Sequence, residues 1–237
     1  QSRSALVNNG FDVLEVNISD LKEAAKNLSV LVIADPYSTY SSEEREIIQS
    51  YIREGGNLLI AGEPGKIDLI NPLLSELPVR LNPNQVYQKI KDVESTVLAS
   101  KPSQKAHEFG FVKKAASIIS LAGVAGLELD QNPNGFRIEP ILISDTKNVW
   151  QGRVAVDTTS DAYVQEAQVL AASLTRTVND KEQRIMLLGD ADFMSNSELS
   201  RYNLRNVNAE FAINLFKWFT YDQFPVNTER PASIDNK

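Results

Sequence analysis

The chain has no cysteine and only one histidine in 237 residues. Without a thiol there is no disulfide, no thiolate metal site and no cysteine nucleophile, and the redox compartment stays open. The lone His107 cannot build a multi-histidine zinc site, and the charged stretch 101–114 around it holds no serine and acid arranged as a triad. It reads as an ordinary surface or rim residue. No run reaches the roughly 20 apolar residues that span a bilayer. The longest uncharged stretch, 115–127, is broken by Ser117, Ser120, Gly123 and Gly126 and reads as strand and turn. A basic region followed by an apolar one, the mark of a signal peptide, is not visible at the start. Positive charge is scarce as well. With 24 Lys and Arg against 31 Asp and Glu the net charge is -7, which argues against a nucleic-acid partner, since phosphate binding needs clustered basic residues.

What is present suffices for a sizeable core: 42% of residues are hydrophobic and 23% charged, enough for one large domain or a domain with a substantial insertion. The helical pattern of Ala5, Leu6 and Val7 stops at Asn9-Gly10, and a helix ahead of the first visible strand predicts another strand upstream. Residues 11–16 alternate like a half-exposed strand, and 19–26 read as a helical crossover. Residues 29–34 (Ser-Val-Leu-Val-Ile-Ala) are almost continuously apolar, as a strand covered on both faces would be, and Asp35-Pro36 ends it. Ser41 or Ser42 can cap a helix whose Ile47, Ile48, Tyr51 and Ile52 share a face, with Gly55-Gly56 as its stop. Strand, helix and next strand (57–61) form a right-handed parallel unit.

Further on, a helix is expected over 67–77, with Pro72 weakening it. Residues 78–150 hold many short β-like pieces parted by Asn, Pro and Gly. Residues 165–178 fit helix or strand, but the turn residues at 179–181 favour an antiparallel hairpin. Residues 208–219 form a final helix with a broad apolar arc. The run 184–196, RIMLLGDADFMSN, carries a buried strand straight into a turn with two acids and small polar residues.

Four pieces taken together, residues 30–36, 41–64, 139–150 and 185–196 with the terminal helix, resemble the extracytoplasmic domain of auxiliary proteins of ABC-type transport systems related to gliding motility. The resemblance implies an α/β layer sandwich of flavodoxin-like or glutamine-amidotransferase-like type, with a mainly parallel sheet and an inserted mixed β-rich region. The residue pattern divides the chain into 1–77 (first part of the α/β domain), 78–150 (insertion) and 151–220 (remainder), and the resemblance implies that 221–237 is an exposed exit segment. It implies placement on the extracytoplasmic, periplasmic face of a membrane, with membrane-embedded transporter subunits and an ATPase subunit as partners. No cofactor is implied, and amidotransferase chemistry does not carry over to a chain without thiols.

Ligands of an open parallel sheet sit outside the carboxyl ends of its strands. Asp35, Glu63, Asp190 and Asp192 all follow apolar strands, and Ser195 and Asn196 add neutral hydrogen-bonding groups. Converged, they would form an acidic crevice able to hold a cation, a sugar hydroxyl or a basic peptide group. The same residue types end strands and cap turns whatever the function. Two functions follow: a noncatalytic binding domain, or a metal-dependent hydrolase using Asp190 and Asp192. Gly189 is expected to serve backbone freedom, and Trp150 and Trp218 the core.

Overall fold

A computed structural model describes residues 6–7, 10–114, 116–152, 167–199, 201 and 204–223. In chain order its strands are β1 (Leu31–Ala34), β2 (Leu58–Ala61), β3 (Val79–Gln88), β4 (Val97–Pro102), β5 (Ile119–Ala122), β6 (Ala125–Leu129), β7 (Arg137–Ile143), β8 (Val149–Gly152), β9 (Val169–Val178) and β10 (Lys181–Leu188). Its α-helices are α1 (Leu21–Ala24), α2 (Ser42–Arg53), α3 (Ile67–Ile70), α4 (Gln104–Glu108), α5 (Asn196–Leu199) and α6 (Asn208–Phe219).

Seven strands form one sheet in the order β1-β2-β10-β9-β7-β4-β5, and β6-β3-β8 form a second. The mainly parallel sheet expected from the sequence is not what forms. Among the described residues only β1–β2 and β2–β10 pair in parallel. The cause lies in two residues: Asn179 and Asp180 both take positive φ (50° and 61°), the geometry of a tight two-residue hairpin. They fold β9 back on β10 with Val178 opposite Lys181. Every strand beyond β9 in the sheet, β7, β4 and β5, then adds antiparallel. Three strands from residues 78–150 thus extend the main sheet, and the other three make the second.

The parallel core obeys the pattern that suggested it. All residues of β2 and residues 185–188 of β10 are buried, and each strand divides its side chains between two cores. Leu59, Ala61, Met186 and Leu188 face Phe211, Leu215 and Phe219 of α6. Leu58, Ile60, Ile185 and Leu187 face Ile48 and Ile52 of α2 with Leu73 and Leu74. Fully burying one such side chain contributes about 1.5–3 kcal/mol, so a strand apolar on both faces is stable only between two layers.

β1 departs from the expectation that it too is covered on both faces. It is an edge strand among the described residues, and its Val32 is 42% exposed. Residues 11–16 form no strand.

α2 begins in a capping box. The Ser41 hydroxyl accepts from the Glu44 N–H at 3.1 Å, and the Glu44 carboxylate accepts from the Ser41 N–H at 2.7 Å. It ends at Gly55, whose φ of 92° suits glycine. The helix expected over 67–77 breaks into α3 and a 3-10 turn, Asn71–Leu74, because Pro72 cannot donate to the helical ladder. Trp150 is buried and stacks on Tyr87, ring centroids 5.6 Å apart. From residue 224 the expected exit segment lies outside the described residues, as do 153–166. Among the described residues no helix is long and apolar enough to cross a membrane.

Candidate functional site

Parallel pairing sets Ala34, Ala61 and Leu188 in register, so the residues that follow them emerge at the same end of the sheet. The Gly62 N–H donates to Leu188 O at 3.0 Å and the Asp35 N–H to Ala61 O at 3.3 Å, carrying the alignment one step beyond the strands. Asp35, Glu63 and Asp190 therefore share one edge. What each carboxylate does there differs.

Asp190 has no exposed surface. Its two oxygens accept from the Ala122 and Asp192 N–H groups, each at 2.6 Å. The first bond ties the end of β10 to the end of β5, sixty-eight residues earlier in the chain; the second closes the turn into the 3-10 segment Asp192–Met194. Burial, then the nearby Glu63 carboxylate, push the Asp190 carboxyl well above its ordinary range, against the pull of those two N–H groups.

Glu63 accepts from the Ala191 N–H at 3.0 Å. Burial raises its carboxyl to about 7; the Ala191 N–H opposes this, while the charges of Asp192 and Asp35 add to it. Asp35 is half-exposed in the left-handed region (φ 43°), with Lys66 Nζ 3.4 Å from its carboxylate. Lys66 also donates to Pro36 O at 3.1 Å and lies 5.0 Å from the ring centre of Tyr37.

Asp192 is exposed, and its carbonyl accepts from the Ser195 N–H at 2.7 Å. The Ser195 hydroxyl accepts from the Glu198 N–H at 3.3 Å and so caps α5; Asn196, exposed, is the first residue of that helix. Glu63 thus feels the charges of Asp35 and Asp192, and Asp190 that of Glu63, whereas Ser195 and Asn196 serve the start of α5. No group of three or more His, Asp or Glu side chains among the described residues is arranged to hold a metal ion.

Gly189 is present for a different reason than the sequence suggests. Its φ is not positive; what it allows is contact. The Ala125 N–H donates to Gly189 O at 2.8 Å and the Gly189 N–H to Leu170 O at 3.0 Å. A Cβ at position 189 would stand 1.9 Å from the Ala125 carbonyl oxygen. The second sheet is thereby joined to the first at the very edge that carries the carboxylates.

A buried polar network beside them escaped the sequence reading. The Asn208 side chain donates to Ser120 O and Phe193 O, both at 2.8 Å, and accepts from the Ser120 N–H at 2.9 Å. Asn206 donates to Glu198 O at 2.7 Å and to the Ser120 hydroxyl. Glu198, 1% exposed, pairs with Arg201, whose Nε lies 2.9 and 3.0 Å from the two carboxylate oxygens. The only advance signal was a Glu and an Arg three apart, common on exposed helices.

The fold and this edge define an α/β domain in which two of the strand-end carboxylates, Glu63 and Asp190, hold loops through backbone N–H groups. Over residues 1–216 the chain matches the family described as "ABC-type uncharacterized transport system", and it belongs to that family. The family's name describes an auxiliary component of such a system. No curated protein sequence matches. Among solved structures, the chain is similar to the mmIFT52 N-terminal domain, with a TM-score of 0.69 and 16% identity over 93% of this chain and 89% of that one. It is also similar to a ThuA-like protein from Bacteroides uniformis (TM-score 0.54, 13% identity, 92% and 80% covered). A cytoplasmic protein from Salmonella typhimurium gives a TM-score of 0.51 at 12% identity, with 92% and 85% covered. At these identities the likeness is one of fold.

Proposed function

We propose that this chain is a noncatalytic domain of an ABC-type transport system component, working by association on the extracytoplasmic face of the membrane beside membrane-embedded subunits and an ATPase subunit. The observation that carries the noncatalytic reading is Asp190. A carboxylate that acts as a base or holds a metal needs an oxygen open to substrate or ion, and both Asp190 oxygens are taken by backbone N–H groups inside the fold. The best candidate for chemistry is a fastener, and its neighbour Glu63 fastens Ala191. Family membership supports the transport setting.

Two measurements test the reading. A hydrolase screen with added divalent metals is expected to give no turnover; turnover that vanishes in folded Asp190→Asn or Asp192→Asn protein would replace the binding role with the metal-dependent hydrolase. Detergent extraction of native membranes is expected to recover the protein with transporter and ATPase subunits. Recovery of a free secreted protein would remove the transport assignment.

A further inference from the structure

Two stretches of the chain, Asn17-Ile-Ser19 and Asn27-Leu-Ser29, share the pattern of asparagine, any residue but proline, then serine or threonine. This is the acceptor pattern for N-linked glycans on the surface of exported proteins. The structure places one stretch at each end of α1. Ile18 and Leu28, the middle residues, are partly buried and pack on the core that holds Ile33, Ile48 and Leu58. Each anchors its turn, while Asn17, Ser19, Asn27 and Ser29 are all exposed.

Neither asparagine side chain is spent on the fold. Asn17 stands at the N-cap position of the 3-10 turn Ile18–Asp20, where a side-chain oxygen ordinarily accepts from the turn. Its side chain makes no capping bond, and its backbone is extended (φ -70°, ψ 139°). Asn27 closes the turn after α1 with its backbone, its N–H donating to Ala24 O at 2.9 Å. The rest of this face is solvated charge: Asp20, Lys22, Glu23 and Lys26 are exposed, and Lys26 pairs with Glu23 at 2.6 Å.

We propose that Asn17 and Asn27 are modification sites, each carrying an N-linked glycan. The proposal rests on the extracytoplasmic placement given above, where such acceptors are modified. The co-reactant is a lipid-linked glycosyl diphosphate. The asparagine Nδ2 attacks the anomeric carbon of the sugar. The C–N bond forms as the C–O bond to the diphosphate breaks, the diphosphate leaves with that electron pair, and one amide proton is released. The serine two residues on supplies the hydroxyl by which a transferase recognises the acceptor. Glycans at both ends of α1 keep this face in water, so association with membrane-embedded subunits falls on other faces of the domain.

The test is peptide mass spectrometry of the protein taken from membranes of the cells that make it, with protease accessibility in intact spheroplasts measured alongside. Peptides spanning Asn17 and Asn27 are expected to carry a sugar mass on the asparagine, and Asn17→Gln and Asn27→Gln each to remove one step of gel mobility. Ser19→Ala and Ser29→Ala are expected to remove the same steps, and Ser19→Thr and Ser29→Thr to keep them, a pattern that a merely structural role of these residues does not produce. Unmodified asparagines in protein that protease reaches from outside overturn the glycans and leave the placement standing. Unmodified asparagines in protein sealed inside overturn both.

Discussion

Gly189→Ala probes the joint on which the candidate site depends. The new methyl carbon would stand 1.9 Å from Ala125 O and 2.9 Å from Ala125 C, where non-bonded heavy atoms prefer about 3.5–4.0 Å. The obstacle is backbone, so no rotamer change relieves it. Either β6 withdraws, breaking the 2.8 Å bond from Ala125 N–H to Gly189 O, or β10 shifts and disturbs the Gly189 bond to Leu170. Overpacking of this kind costs about 1–3 kcal/mol, and the lost hydrogen bond adds about 1 kcal/mol. A total of about 2–4 kcal/mol, at roughly 2–4 °C per kcal/mol for a chain of this size, lowers Tm by about 5–15 °C. Thermal and urea unfolding followed by circular dichroism measure it. Gly65→Ala is the control, since a Cβ there meets nothing within 4 Å. If both variants unfold within about 0.5 kcal/mol of the parent, the range of neutral surface changes, the close approach does not govern this joint.

Much of the parallel core was legible because burial on two faces leaves a simple trace. Residues 58–61 and 185–188 are apolar at every position, and both became internal strands between α2 and α6. The cap of α2, its glycine stop and the α6 arc were equally plain, since each depends on residues within one or two turns. Residues 31–34 bear the same apolar trace yet lie at an edge. A sequence records that a side chain avoids water, not what covers it. The antiparallel majority of the sheet was harder to see. It follows from one hairpin at Asn179-Asp180, but that β7 would lie beside β9, and β4 beside β7, rests on pairings between distant segments.

For the site, chain direction alone placed Asp35, Glu63 and Asp190 at one edge, as strands running the same way must. What could not be read was the partner of each carboxylate. Asp190 is satisfied by Ala122, and Glu63 by Ala191; both donors are backbone groups, which any residue other than proline supplies. Asn208 was invisible for the same reason. The Asn208 bonds run to main-chain atoms of Ser120 and Phe193, which no pairing of side-chain types announces, while Glu198 does meet a side chain, Arg201, at a spacing too common on exposed helices to mark a buried pair.

Three further outcomes are expected. Ser41→Ala removes the side-chain half of the α2 capping box and lowers stability by about 1 kcal/mol in urea unfolding; an unchanged midpoint would mean the box contributes nothing in solution. Asn208→Ala leaves the Ser120 N–H and the Ser120 and Phe193 carbonyls without their buried partner, at about 1–3 kcal/mol for a lost polar contact of this kind, and a loss under 0.5 kcal/mol would contradict the network. Glu63→Gln tests the electrostatics. The Glu63 carboxyl titrates near 7 in the folded chain because burial outweighs the Ala191 N–H, while in the unfolded chain it titrates near 4.5. Between these values the unfolded state has released a proton that the folded state still holds, so stability is fullest below about pH 4.5 and falls as pH rises through about 7. A glutamine keeps an oxygen for Ala191 and does not titrate, so the variant should gain on the parent as pH is raised from 5 to 8. Parallel stability curves over that range would show that Glu63 ionises normally and is less buried against its neighbours than the structure has it.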